Sequence, residues 1–231
     1  TDLEPLRCSV REHSALLLVD AAQSVGAIDI DVRTLGIDAL AVATQKCLLG
    51  FYGFGFLWIR RSLADKLKPG HVARYGIDVG KGAHETSIGS GELRFQPGAL
   101  RFDLGNFNYL GAAAAQASIE LLRSIRMKRV EAHLKSLAAR LATGLLELGL
   151  PVPGGAPGEH LAHIVSVGES GGGRHYTADD PKMNELYDQL TRNGVRLSIR
   201  RGVLRMSLGI YNDEADVDRV VALTREWVNE S

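Results

Sequence analysis

Cysteine is scarce in this sequence. Of the 231 residues only Cys8 and Cys47 are cysteines, and no Cys-x-x-Cys pair occurs. This scarcity argues against a disulfide framework and against a structural zinc site, and it predicts a reducing, cytoplasmic location. The motif His160-x-x-His163 has no third ligand nearby in the sequence, so we predict no metal site.

Net charge and long apolar runs are also missing. Lys plus Arg and Asp plus Glu both number 27, so the formal charge is zero at pH 7. Neither a nucleic-acid partner nor a membrane surface is therefore expected from bulk charge. The longest apolar runs are far too short for a membrane-spanning helix. What remains is an ordinary composition, 45% hydrophobic and 23% charged, which is typical of a soluble globular protein.

The first half of the chain contains three short apolar segments that end in polar residues. Residues 15–20 form an apolar run that ends in Asp20, and they predict a buried parallel strand. Residues 39–43 predict a second strand, which Thr44, Gln45 and Lys46 follow directly. After a glycine-rich turn, residues 55–60 predict a third strand. Short strands with short connections are typical of an α/β fold.

The second half predicts a smaller α+β unit. It is preceded by a long loop over residues 71–98 and by an alanine-rich helix. A leucine stripe at helical spacing then indicates a long helix over residues 127–148. The remaining predicted elements are a strand over 163–167, a helix over 181–192, a hairpin of 195–199 with 203–207, and a last helix capped by Asn212. We therefore predict two domains, residues 1–124 and residues 125–231.

Three polar side chains are expected to meet at one edge of the first sheet. Asp20, Gln23 and Lys46 all follow strand ends, and ligands of α/β sheets bind at the carboxyl ends of strands. An amine, an anion and an amide donor are what a pyridoxal cofactor requires for a Schiff base, a charged ring nitrogen and a hydrogen-bonded ring oxygen. Each residue alone also has a plain structural explanation, such as a helix cap for Asp20 or a solvated surface position for Lys46.

Several motifs in order along the chain resemble one family. The segments are Val19–Gly26, Gly36–Asp38, Gln45–Gly50 with Gly53-x-Gly55-Phe56-Leu57, Arg101–Asn106, and Leu204–Ser207 with Ile210–Asp216. Together they resemble the class V aminotransferase family, the group of pyridoxal-phosphate (PLP) enzymes that also holds cysteine desulfurases and isopenicillin-epimerase-like enzymes. The resemblance implies the later part of a fold type I PLP-dependent transferase large domain followed by a small C-terminal α+β domain.

The resemblance implies a role for each of the three converging residues. Lys46 would hold PLP as a Schiff base and move a proton at the substrate. Asp20 would pair with the pyridine nitrogen, and Gln23 would bind the phenolic oxygen.

Three further residues have implied roles. Gln45 would approach the cofactor phosphate, and Asn106 stands where relatives reach the phosphate of the neighbouring subunit's cofactor. Arg205 would grip the α-carboxylate of a small-molecule amino acid or keto acid, a task suited to a bidentate guanidinium. From the residues alone, Arg205 could instead pair with Asp213 or Glu214. The resemblance also implies a homodimer with sites at the subunit interface.

Two features of the family have no counterpart in the sequence. The family's segment before the Asp20 strand supplies a phosphate-binding turn and a ring-stacking aromatic or histidine, so we expect this chain to correspond to the C-terminal part of such an enzyme. The cysteine desulfurases need a cysteine upstream of the arginine signature, but none occurs between Val195 and Arg205. We therefore predict an aminotransferase-type PLP enzyme. The alternatives are an epimerase or lyase of the same family, and a non-catalytic fragment serving as a dimerisation or interaction module.

Overall fold

The computed structural model describes residues 3–80 and 93–230, so part of the loop predicted over residues 71–98 lies outside the described residues. The chain forms two compact units. The N-terminal unit comprises the residues up to Gly26 together with Ile30–Ser124, and the C-terminal unit comprises Ala27–Asp29 and the residues from Ile125 onward.

The N-terminal unit contains a three-stranded mixed sheet in the order β1-β2-β3. β1 and β2 are parallel, and β2 and β3 are antiparallel. The elements are α1 (Glu4–Glu12), β1 (Leu18–Asp20), β2 (Ala39–Ala43), β3 (Gly55–Ile59), α2 (Arg61–Ala64) and α3 (Tyr109–Ile125), with 3₁₀ turns at Arg74–Gly76 and Gly98–Phe102. The α/β character predicted from the sequence is confirmed, although helix α1 was not predicted.

β1 differs from its prediction in length and in burial. The strand has three residues rather than six, and the side chain of Leu18 is 66% exposed. The physical reason is that β1 is an edge strand of the described sheet, since it pairs with β2 alone. β2 is the central strand, and its residues Leu40 and Val42 are buried as expected.

The C-terminal unit contains an antiparallel sheet in the order β4-β6-β5 with three helices. Its elements are α4 (Met127–Glu147), β4 (Ile164–Val167), α5 (Pro181–Arg192), β5 (Ser198–Arg200), β6 (Val203–Ser207) and α6 (Glu214–Glu230). The predicted hairpin is confirmed, although its first strand covers Ser198–Arg200 rather than residues 195–199. Arg201 and Gly202 join β5 to β6 with φ angles of 48° and 93°, the left-handed pair that matches the twist of a tight hairpin.

Helix α4 carries the core of the C-terminal unit. Leu134, Leu137, Leu141 and Leu145 are all buried, as the leucine stripe predicts. Complete burial of such a side chain contributes about 1.5–3 kcal/mol to stability, so this stripe is a main source of the unit's folding energy. On the same helix, Arg140 donates two hydrogen bonds, of 2.7 and 2.8 Å, to the carboxylate of Asp218 on α6.

The predicted cap of α6 is wrong by one residue. Asp213 is the cap, because its Oδ1 accepts the Asp216 N–H at 3.0 Å and its own N–H donates to Asp216 Oδ2 at 3.3 Å. This reciprocal pair satisfies two N–H groups at once, which a single Asn cannot do. Asn212 instead accepts the Gly209 N–H at 2.8 Å in the preceding turn.

In the part of the chain that the structure describes, none of the helices combines the length and the apolar character needed to cross a bilayer.

Candidate active site

The acidic side of the candidate site is the turn that follows β1. Asp20 is exposed at the end of the strand, and the Ala22 N–H donates to its Oδ1 at 2.9 Å. The Ala21 N–H donates to Ala41 O at 2.9 Å, so the ladder with β2 continues one residue past Asp20. The sheet therefore holds the backbone of Asp20, and a local hydrogen bond restrains the rotation of its carboxylate.

The basic side is the turn that follows β2, here called the lysine turn, residues 44–50. The Leu49 N–H donates to Lys46 O at 2.8 Å, and the Gly50 N–H donates to Thr44 O at 2.8 Å. Leu49 has a φ of 56°, in the left-handed region that L residues seldom adopt. The backbone around Lys46 is thus tightly folded, while its side chain is exposed.

Thr44 closes the lysine turn from inside the protein. Its side chain is fully buried, and its hydroxyl lies 2.9 Å from Phe54 O and 3.1 Å from Phe51 O. The single hydroxyl proton is shared between these two carbonyl oxygens. From the other side, the Ser118 hydroxyl on α3 donates to Leu49 O at 3.3 Å.

The turn after β1, residues 21–26, is here called the acidic turn, and it is packed directly on the lysine turn. Gly26 has a φ of 94°, and a Cβ at this position would lie 2.4 Å from the carbonyl carbon of Cys47. Only glycine fits a backbone conformation and an approach of this kind. The Cys47 thiol lies 3.8 Å from Gln23 O, a second link between the two turns. Because of these contacts, Asp20, Gln23 and Lys46 share one edge of the sheet.

Sequence reasoning did not single out Gly26 or Thr44. Gly26 is the last residue of the quoted motif Val19–Gly26, and Thr44 stands directly before the quoted motif Gln45–Gly50. Their importance depends on backbone contacts between segments that are distant in sequence, which no local pattern reveals.

Gln45 and Asn106 have different surroundings. Gln45 is half-buried within the lysine turn. Asn106 is exposed, and its Oδ1 accepts a hydrogen bond of 2.6 Å from the Tyr75 hydroxyl. The ring of Tyr75 in turn lies 5.9 Å from that of Phe107. Within the described residues, the hydrogen bond of Asn106 therefore goes to an aromatic cluster rather than to either turn.

Arg205 lies in the C-terminal unit, on the central strand β6. It is half-buried, and its register partners on the two flanking strands are Ser166 and Ser198. Two small polar neighbours leave room for the guanidinium and add hydroxyl groups beside it. Burial, together with the positive charge of Arg205, lowers the pKa of His163 below its usual value.

The residues at the sheet edge fit PLP by their chemistry. Lys46 supplies a primary amine on a solvent-accessible stem, Asp20 supplies an anion, and Gln23 supplies an amide at the same edge. These are the groups that a pyridoxal aldehyde, a pyridinium nitrogen and a ring oxygen require. Among residues 3–80 and 93–230, no cluster of three or more His, Cys, Asp or Glu side chains could hold a metal ion.

Comparison with known proteins gives consistent matches. The profile of the family "Aminotransferase class-V" matches residues 1–220. An uncharacterized aminotransferase of Bacillus subtilis, YcbU, is 29% identical over 96% of this chain and 55% of its own length. A probable cysteine desulfurase of Pyrococcus abyssi is 28% identical over 98% of this chain and 56% of its own length. The chain thus spans about half the length of the curated relatives it matches.

Solved structures show the same fold. The apo cysteine desulfurase of Thermococcus onnurineus aligns with the whole chain at a TM-score of 0.80 and 24% identity, and 56% of that protein is covered. A C-DES mutant with glycine covalently linked to the PLP cofactor aligns with 98% of the chain at a TM-score of 0.79 and 20% identity, again over 56% of that protein. The fold class expected from the sequence, the later part of a fold type I PLP-dependent enzyme, is confirmed.

Proposed function

Since the chain belongs to the class-V aminotransferase family, whose cofactor is PLP, we propose that it provides the lysine side of a PLP site that acts on the α-carbon of an amino acid, most simply in transamination. The observation that carries this proposal is the packing of Gly26 on the backbone of Cys47. That packing holds the turn of Asp20 and the turn of Lys46 at one edge of the sheet.

Each residue has a distinct task in this proposal. PLP, when bound, supplies an electron sink for the carbanion at the substrate α-carbon. Lys46 Nζ holds the cofactor aldehyde, and as a free amine it takes a proton from the α-carbon and returns one. Asp20 keeps the ring nitrogen protonated, since an adjacent anion favours the charged form. Gln23 binds the ring oxygen.

Binding of the substrate and of the phosphate falls to other residues. Arg205 grips the substrate carboxylate, and the serines beside it on β4 and β5 favour an anion there. Gln45, half-buried in the lysine turn, approaches the phosphate. Asn106 contributes its backbone N–H, because its side-chain oxygen is bonded to Tyr75.

Transamination is favoured over persulfide chemistry by the cysteine positions. None of the residues between Val195 and Arg205 is a cysteine. Cys47 directs its thiol at Gln23 O, and Cys8 is exposed on α1. An epimerase or lyase outcome is the alternative, because it would use the same electron sink at the same α-carbon.

We further propose that the intact protein is a cytoplasmic homodimer. Neither cysteine is in a disulfide, as expected for a reducing compartment. The N-terminal unit exposes a set of large apolar side chains that suits a self-association surface, Phe51, Tyr52, Tyr109 and Leu110, which are 61–82% exposed. Sedimentation analysis over a range of protein concentrations measures this association.

The test of the cofactor site is a trapping experiment with Lys46→Ala. The purified protein is mixed with PLP, its visible absorbance is recorded, and the adduct is reduced with borohydride and located by mass spectrometry. We expect an imine band and a pyridoxyl group on Lys46 in the wild type, and neither in the variant. Lys68→Ala is the matched control, because Lys68 is an exposed lysine of the same unit, and it should behave as the wild type.

Modification spread evenly over exposed lysines, or a band that persists in Lys46→Ala, would contradict the assignment. The non-catalytic alternative, a dimerisation or interaction module, would then account better for the exposed apolar set.

A further inference from the structure

A cavity lies at the end of β2 that is opposite to Lys46. It has a volume of about 670 Å³ and lies between α1, the segment that enters β2 and the end of β3. Ile37 and Asp38 line it just before β2 begins, whereas Lys46 follows the end of β2. At about 3.3 Å per residue, the five-residue strand alone separates the two places by roughly 16 Å. The cavity is therefore distinct from the candidate active site.

The lining of this cavity is strongly basic in a chain whose net charge is zero. It includes five arginines, Arg7, Arg11, Arg33, Arg60 and Arg61. Asp38 is the one acid in the lining, and it is already engaged: Oδ2 accepts the Leu17 N–H at 2.9 Å and Oδ1 accepts a guanidinium bond from Arg60 at 2.6 Å. The lining thus carries five positive charges against one negative charge, and Glu4, Asp31 and Asp65 outside it balance part of that excess.

Arg11 and Arg33 are in none of the ion pairs of the described part of the chain, although the charge of Arg11 interacts with Glu4 and that of Arg33 with Asp31. Arg7 pairs with Glu4, Arg60 pairs with Asp38, and Arg61 is 3.7 Å from the exposed carboxylate of Asp65. Asp31 lies near Arg33, but its carboxylate accepts the backbone N–H of Arg33 at 2.9 Å. The positive charge that these carboxylates do not balance is repulsive within the lining, and a bound anion would relieve that repulsion.

Local geometry directs two arginine stems into the same space. Arg7 and Arg11 are one helical turn apart on α1, so they share a face. Both side chains pass close to Gly36, since a Cβ added there would lie 2.9 Å from Arg7 Cδ and 3.3 Å from Arg11 Nη2. Trp58 on β3 adds a half-buried aromatic wall to the lining.

We propose that this cavity binds the di- or triphosphate group of a small molecule. Guanidinium groups recognise phosphate oxygens through paired N–H bonds, and several arginines match several phosphate charges better than one carboxylate would. A volume of about 670 Å³ lies in the range of small-molecule sites. Nucleoside triphosphates and inorganic polyphosphate share this chemistry, and Trp58 offers a stacking surface that only the nucleoside could use.

The test is calorimetric titration with inorganic tripolyphosphate and, separately, with ATP. Saturating PLP is present in both, so that the phosphate subsite proposed near Gln45 is filled. We expect both ligands to bind, and Arg11→Gln/Arg33→Gln to weaken binding by about tenfold or more, since charged hydrogen bonds are lost. Arg123→Gln/Arg225→Gln is the control, because it removes the same charge from exposed helical positions outside the cavity and should bind as the wild type.

The two ligands distinguish the source of the phosphate. Tighter binding of ATP, with a change in fluorescence lost in Trp58→Phe, assigns a nucleotide, whereas equal binding assigns the phosphates alone. Absence of binding by both ligands at millimolar concentration would overturn the proposal. So would an equal loss in the two double variants, because that indicates unspecific attraction. Circular dichroism melting verifies that each variant is folded.

Discussion

At the scale of single residues, Thr44 stabilises the lysine turn, although it has no role in the proposed reaction. Its buried hydroxyl binds the carbonyl oxygens of Phe51 and Phe54. Thr44→Val keeps the shape and removes this bond, which we expect to cost about 1–3 kcal/mol of unfolding free energy. Urea denaturation measures that loss. In the borohydride trapping experiment, Thr44→Val should also form the Lys46 adduct more slowly. Thr143→Val, at an exposed position of α4, should change neither the unfolding free energy nor the trapping.

His163 makes stability depend on pH. Burial and the charge of Arg205 lower its pKa in the folded state, while the unfolded value stays near about 6.5. The unfolded chain therefore binds the proton more readily, so the stabilisation is complete above that value and declines as the pH falls below it. We expect a larger free energy of unfolding at about pH 7.5 than at about pH 5.5.

Denaturation followed by fluorescence at the two pH values tests this dependence, and Trp227 on α6 reports on the same unit. In His163→Gln the difference should shrink. In His71→Gln, which changes an exposed histidine of the other unit, the difference should stay. An undiminished difference in His163→Gln would mean that other groups cause it.

At the scale of elements, the start of α6 depends on the reciprocal pair of Asp213 and Asp216. Asp213→Ala removes the cap, and we expect it to lower the unfolding free energy by about 1 kcal/mol. Asp213→Asn retains an acceptor oxygen and should lose much less. Thermal melting of the two variants beside the wild type gives the comparison, and equal melting temperatures would show that Asn212 can substitute as the cap.

Two of the helices could be predicted well, for a physical reason. The boundaries of α5 and the leucine stripe of α4 were predicted correctly because helical periodicity and capping are local properties. β1 was predicted too long and too buried, because the burial of a strand depends on which strands and helices cover it. The cap of α6 was missed because Asn212 and Asp213 are both good capping residues, and only the position of Asp216 decides between them.

At the scale of the whole molecule, the exposed edge strand β1 favours unwanted association. Leu18 is 66% exposed, and within the described residues one side of its three-residue strand has no neighbouring strand. Leu18→Lys should reduce light scattering of concentrated protein and change the unfolding free energy by less than about 0.5 kcal/mol. Leu40→Lys, on the buried central strand, should unfold the protein instead. Unchanged scattering in Leu18→Lys would place the associating surface elsewhere.

Much of the candidate site could be predicted from motif order, and the family resemblance is confirmed over residues 1–220. The placement of Asp20, Gln23 and Lys46 at one edge follows from the rule that parallel strands end together. The contact of Gly26 with Cys47 and the arginine cavity could not be predicted, because each is assembled from segments far apart in sequence. The roles of the site residues all stay predictions: Asp20, Gln23, Gln45, Lys46, Asn106 and Arg205.

The hydrogen-bonded backbone of the lysine turn has an entropic consequence. Folding removes the backbone conformational freedom of Leu49, Gly50 and Thr44 before any ligand binds. The rotations left to Lys46 are those of its own side chain, so its amine stays within one side-chain length of a fixed backbone. In its proposed role, an amine tethered in this way meets the cofactor at a raised effective concentration, and folding, rather than binding, has already met the entropic cost of fixing the backbone.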